Sequence, residues 1–198
     1  ACLAGTLTYQ GKYAEAETDF LEALRIQNKV LGEHRDTALT LVGLGATFEH
    51  QGRLTEAEAV LRQAIAIEKR VLTQSAHCGT LDKLADVLLR EGKEEKLAEA
   101  AATYRESAEC GSDRAKYILG WMYATGKGVV KDPEQALSWY RKSADSGNTT
   151  AQIRLASMYE KGQSVSKDLV EAARWYRRAT DNENPQKLNE VAWTLATS

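Results

Sequence analysis

Proline is scarce in this chain, with two residues in 198. Proline lacks a backbone donor and breaks helix interiors, so its scarcity favours long helices with short joins. Cysteine is nearly as rare: Cys2, Cys78 and Cys110 stand at wide, irregular spacing. An odd count with no close pair argues against a disulfide framework and against a zinc site. It predicts small buried or half-buried thiols and, weakly, a reducing, cytoplasmic setting. No run of about 18 apolar residues occurs, which argues against a membrane-spanning helix. Neither sign of charge dominates, since 26 Lys and Arg stand against 28 Asp and Glu, a net of -2. Nucleic-acid binders usually carry a clear positive excess, so no nucleic-acid partner is expected. The opening Ala1 to Gly5 lacks both Met and a basic flank, and reads as the middle of a helix rather than a signal peptide. The chain is therefore expected to be cut from something longer.

What is present is repetition. Leu119-Gly120-Trp121-Met122-Tyr123 is echoed 36 residues later by Leu155-Ala156-Ser157-Met158-Tyr159. The echo continues through Gly126 and Gly162, Val129 and Val165, Asp132 and Asp168, Ala136 and Ala172. It closes on Trp139-Tyr140-Arg141 and Trp175-Tyr176-Arg177, and Asn148 and Asn184 open the next unit each time. Earlier in the chain, the stretch from Gly11 to Glu17 matches the stretch from Gly52 to Glu58 at a period of 41. Leu84-Ala85 and Glu91-Gly92 continue that series at 40. Fixed periods of this length mean stacked helical units rather than one closed core. The fold class expected is all-α, a right-handed α-solenoid of stacked antiparallel helix pairs, about eleven helices in all.

The helices are legible one by one. One ends at Gly11, and the next spans 12–31 with Ala16, Phe20, Ala23, Leu24, Ile26 and Val30 at helical spacing. Asp36 is a plausible N-cap for a helix to Gln51, in which Gly45 stands where a partner helix must come close. Ala57, Leu61, Ala64, Ile65 and Val71 line the following one. The third unit is irregular, because Lys93 to Lys96 are extra residues that form either a longer loop or a helix start of altered register. Residues 94–112 are expected to be the least regular part of the stack. Two further pairs follow at 114–125 and 133–146, then at 149–161 and 168–181, with Asp132-Pro133 capping the second helix. Pro185 to Thr197 reads as a single last helix that keeps Ala192-Trp193 in register.

These residues resemble two related families. Leu44-Gly45, Phe48, Gly52, Ala57, Leu61 and Ala64 are similar to tetratricopeptide repeats, and residues 1–110 resemble the longer kind found in kinesin light chains. Leu31 to Asp36 looks like the connecting loop of that kind, with Arg35 where proline is usual. Residues 112–183 resemble Sel-like repeats, through Leu119-Gly120, Tyr123, Gly126, Gly128-Val129, Asp132, Ala136 and Trp139-Tyr140 and their counterparts. In the second copy Ser164 replaces Gly128, which leaves its turn less tightly specified. The domains expected are 1–111, tetratricopeptide-like; 112–183, two Sel-like repeats; and 184–198, a capping or truncated helix of tetratricopeptide character.

The resemblance implies a concave groove lined by the first helix of each pair, holding a protein or peptide. The partner-binding residues expected on this analogy are Leu39, Val42, Glu49 and His50 in the second unit and Asp82, Asp86 and Arg90 in the third. Tyr117, Trp121, Ile153 and Glu160 follow in the last two, with Thr8 and Tyr9 in the first. Aromatic anchors often dominate interface energy, so Trp121 and Tyr117 are the residues to test. Trp139, Tyr140, Trp175 and Tyr176 recur in phase and are expected to fill equivalent packing slots. Arg141, Lys142, Arg174, Arg177 and Arg178 are expected to form a solvated face.

No catalytic constellation is visible. Gly126-Lys127-Gly128 follows a helix and lacks the terminal Gly-Lys-Ser/Thr of a phosphate loop. His34, His50 and His77 have no second ligand at helical spacing, so no metal or cofactor is expected. The function expected is a non-enzymatic interaction scaffold with no membrane insertion. The alternatives are a regulatory or accessory repeat domain of a larger enzyme or of a secretion or signalling protein.

Overall fold

The computed structural model describes residues 2–30, 32–71 and 77–181, which form ten helices and no strand. The expected last helix with Ala192-Trp193, and Asn184, lie outside the described residues. The chain divides into two compact units, 1–112 and 113–198.

The first unit holds α1 (Cys2–Tyr9), α2 (Tyr13–Val30), α3 (Arg35–His50), α4 (Leu54–Val71), α5 (Cys78–Glu91) and α6 (Glu94–Cys110). They pair as α1 with α2, α3 with α4 and α5 with α6, and each second helix also packs on the next first helix. The pairing follows from one apolar stripe per helix, which can be buried only against neighbours. Phe20, Leu44, Phe48, Leu61, Leu84, Leu88 and Tyr104 fill the seams with alanines between them. The 41-residue repeat shows in the turns. Gly11 and Gly52 both have φ +76, a left-handed conformation without cost only for glycine. The residue after each donates its backbone N–H back to the helix, Lys12 to Leu7 and Arg53 to Phe48, both at 2.9 Å. Gly45 meets α4 closely, as its position suggests: an added Cβ would lie 2.9 Å from Leu61 Cγ.

Several expectations need correction here. The α3 N-cap is His34, not Asp36; its imidazole Nδ1 accepts from the Asp36 N–H at 3.3 Å, and Asp36 falls in the first turn. Ile26 and Val30 are 51% and 72% exposed. At 18 residues α2 outlasts the 8 residues of α1, so α1 covers only part of its length. Residues 94–110 are not irregular. The extra residues form the first turn of an unbroken 17-residue helix capped at Lys93. The cysteines are not all thiols. Cys78, first in α5, and Cys110, last in α6, have Cα atoms 5.7 Å apart and are joined by a disulfide. A spacing of 32 conceals the pair, because only the helix hairpin returns the chain to its starting level.

The second unit holds α7 (Asp113–Thr125), α8 (Pro133–Asp145), α9 (Thr149–Lys161) and α10 (Leu169–Asp181). Each helix of the second pair begins and ends 36 residues after its counterpart. Asp132 Oδ1 accepts from the N–H groups of Glu134 and Gln135, and Asp168 Oδ1 from those of Val170 and Glu171, at 2.9–3.0 Å. These bonds satisfy donors that have no partner inside the helix. The in-phase aromatics do not share one slot. Tyr140 is 1% exposed and Trp139 half-buried, whereas Trp175 is 6% exposed and Tyr176 half-buried. Gly120 admits the Tyr140 ring against α7; the corresponding Ala156 carries a methyl there.

Candidate partner-binding faces

In the first unit the candidate residues lie on α3 and α5, which run side by side. Leu39 is 52% exposed and Val42 half-buried, so both stand clear of the α3–α4 seam. Glu49 and Arg90 are brought together: Arg90 Nη1 donates to Glu49 Oε1 at 2.7 Å, tying α3 to α5. His50 turns toward α2, its ring stacked on Tyr13 with centroids 5.7 Å apart and planes within 8°. Asp82 and Asp86 serve their own helix pair. Asp82 accepts from Ser107 Oγ at 2.6 Å and Ser112 Oγ at 2.7 Å, and Asp86 accepts from the Tyr104 hydroxyl. Tyr9 is 95% exposed, whereas Thr8 faces α3 through a 2.9 Å hydrogen bond with Thr47.

In the second unit Tyr117 and Trp121 are half-buried on α7. Tyr117 packs against a core of Ala144, Ala151, Leu155, Ala156 and Trp175. Trp121 packs against Ala136, Tyr140 and Met158. Each keeps part of its ring at the surface. Lys127 Nζ sits 5.4 Å from the centre of the Trp121 ring, and the Arg154 guanidinium 6.0 Å from that of Tyr140. Ile153 is 42% exposed. Glu160 accepts from the Tyr176 hydroxyl at 3.0 Å, and burial together with this bond pushes the Tyr176 phenol up to about 12.

The second helices carry a different chemistry. In the first unit an ionic lattice joins neighbouring pairs: Arg53 bridges Glu17 and Glu56, Lys96 and Arg62 hold Glu58, and Lys69 meets Glu106. Burial works against the Glu58 carboxylate, yet the Lys96 and Arg62 bonds hold it below the ordinary carboxylate range. In the second unit the basic face is partly balanced. Arg174 meets Glu171, Arg178 meets Asp145, and Lys142 lies 4.2 Å from the centre of the Trp139 ring.

Sequence reasoning missed one buried polar cluster at the α4–α5 joint. Glu68 is 4% exposed and accepts from Thr80 Oγ1 at 3.0 Å, while its other oxygen has no partner. Burial pushes its carboxyl up, against the opposing pull of Thr80 and His77. His77 is 6% exposed and its Nδ1 is also unpartnered. No motif marks this cluster. The only available signal was a Glu at a position of the α4 stripe that helical spacing places inward. Among the described residues, no three His, Cys, Asp or Glu side chains gather as a metal site.

Residues 1–70 match the tetratricopeptide repeat model, and residues 113–148 and 149–184 each match the Sel1 repeat model. A Sel1 repeat protein from Oxalobacter formigenes is 35% identical, over 57% of this chain and 88% of its own, with a TM-score of 0.50. The chain belongs to the Sel1 repeat family. Its Sel1 repeats follow tetratricopeptide-like repeats, and the fold of the whole is seen in more distant proteins. The protective antigen c5321 of uropathogenic Escherichia coli, which displays the same repeat fold, is 22% identical at a TM-score of 0.69. That match covers 98% of this chain but 40% of the antigen, so the chain spans less than half its length. A kinesin-light-chain-type protein of nearly identical tetratricopeptide-like repeats from Podosopora anserina is 18% identical, over 91% of this chain and 92% of its own, with a TM-score of 0.62. Among curated proteins there is no sequence match. A Sel1 and tetratricopeptide fold of stacked helix pairs is typical of non-enzymatic protein-interaction scaffolds. Among the described residues no helix is long and apolar enough to cross a membrane.

Proposed function

We propose that this chain holds a peptide or a partner segment on the faces presented by its first helices. The observation that carries the reading is the exposure of large apolar and aromatic surface between core positions of those helices. Leu39 and Ile153 stand at the surface, and Val42, Tyr117 and Trp121 keep part of their area there. Glu49 and Arg90 would frame such a segment in the first unit, beside His50; Asp82, Asp86 and Glu160 would act mainly by holding the helix pairs in place. Trp121→Ala should weaken binding by roughly 1–3 kcal/mol, in the range of a moderate hot spot, with helicity unchanged. Arg177→Ala, on a second helix, should change affinity far less. Titration calorimetry with selected peptides measures both, and a loss confined to the Arg177 variant would move the site to the other face.

A second reading, a repeat region serving a larger protein, is favoured by the coverage of c5321, whose chain extends well beyond the matched part. The two readings are compatible, since a partner segment can belong to the same chain. The cytoplasmic placement rested on free thiols. The Cys78–Cys110 disulfide supports an oxidising compartment instead, because cytosolic reductants keep most such pairs open.

A further inference from the structure

The two units differ in charge. Residues 1–112 carry 13 Lys and Arg against 18 Asp and Glu, whereas residues 113–198 carry 13 against 10. The excess in the second unit is unpaired where it matters. Asp113, Asp145 and Glu171 are held by Lys116, Arg178 and Arg174. Asp132 and Asp168 cap helices, and Glu160 takes the Tyr176 hydroxyl. Lys127, Arg154 and Lys161 make no ion pair among the described residues. Lys127 lies over Trp121; Arg154 lies beside Tyr140, whose ring is 5.7 Å from that of Tyr117. Lys161 ends α9 seven residues after Arg154, two helical turns along the same face. Arg154 has no counterpart in the preceding repeat, where Ile118 stands, so repeat packing does not explain it.

We propose that the first-helix face of the second unit, formed by Tyr117, Trp121, Lys127, Ile153, Arg154 and Lys161, binds an acidic peptide segment with an apolar anchor. This rests on the interaction-module reading and names the ligand class of one face. The rings and Ile153 supply apolar area for the anchor. The three cations make no ion pair among the described residues, so the carboxylates of the peptide complete them and steer its approach. The acidic first unit presents no such excess.

Selection of a random peptide library on the 198-residue protein tests this, followed by fluorescence titration of the selected peptides. The expected result is enrichment of Asp and Glu around an aromatic or large aliphatic residue. The double variant K127E/R154E should weaken these peptides roughly tenfold, as should exchanging their acids for amides, with a smaller loss for K127Q/R154Q. Both substituted side chains are at the surface, and circular dichroism checks that the fold is kept. Peptides that need Trp121 but carry no acidic bias would overturn this proposal and leave the interaction-module reading standing. Acidic peptides indifferent to K127E/R154E would overturn it as well. A single-stranded oligonucleotide of equal charge, bound equally well, would replace it with generic anion binding. A library that yields no binder would overturn both readings.

Discussion

A Cβ atom added to Gly120 would lie 2.6 Å from Cδ1 of the Tyr140 ring, closer than two carbons can sit. This contact joins α7 to α8 and sets how deeply the Tyr140 ring enters the seam. Gly120→Leu should cost on the order of 1–3 kcal/mol through overpacking, and Gly120→Ala should cost part of that. Thermal unfolding measures it; an unchanged melting curve for both variants would mean that the ring yields freely.

Cys78 and Cys110 close a loop of 32 residues across one helix pair. Cross-linking a loop of that size restricts the unfolded chain and is worth about 2–4 kcal/mol. The C78S/C110S variant should unfold at correspondingly lower denaturant concentration. Alkylation of the unfolded wild type should label one cysteine without reduction and all three after it, as read by mass spectrometry.

Ser164 adopts φ +62, a left-handed conformation in a residue that has a Cβ. Gly128, its counterpart, adopts φ +72. Relief of the strain at Ser164 outweighs the extra freedom glycine gives the unfolded chain. Ser164→Gly should therefore stabilise by about 0.5–1 kcal/mol. Gly128→Ser should destabilise by a similar amount. Chemical denaturation of the two variants side by side decides the sign.

Burial raises the Glu68 carboxyl above its unfolded value. The folded chain therefore keeps a proton that the unfolded chain releases, and this site loses stability as pH rises through the folded pKa. Acidification should relieve it. Glu58 has the opposite sign, since its lowered pKa gives stability that is lost as pH falls through the folded value. Glu68→Gln keeps an acceptor for Thr80 and removes the buried charge. It should raise stability at pH 7 by about 1 kcal/mol and shrink the gain on acidification. Melting curves at pH 5 and pH 7 for both proteins test this.

The helix pairs were legible in the sequence because each helix must show one apolar stripe and each turn one residue able to take positive φ. Gly11 and Gly52, or Asp132 and Asp168, announce their geometry through local chemistry alone. The 36-residue echo carries over into helix bounds, since the same local signals recur at the same places. Legibility fails where the deciding partner is distant in sequence. Nothing near Asp82 or Asp86 reveals that Ser107, Ser112 and Tyr104 bond to their carboxylates, so the bracing of this helix pair by two residues expected to line the groove was not legible.

The same distinction separates the cysteines and the cations. From sequence alone Cys78 and Cys110 are two thiols among three, and Arg154 is one basic residue in a chain of net charge near zero. Repetition determined that helices would stack in pairs, because a periodic apolar pattern has no other way to leave water. Tertiary structure decided which side chains remain unsatisfied once the pairs have formed. Hairpin closure brings the ends of α5 and α6 within reach of a disulfide. Packing gives Asp113, Asp132, Asp145, Glu160, Asp168 and Glu171 internal partners and leaves Lys127 beside the half-buried Trp121 ring and Arg154 beside that of Tyr140.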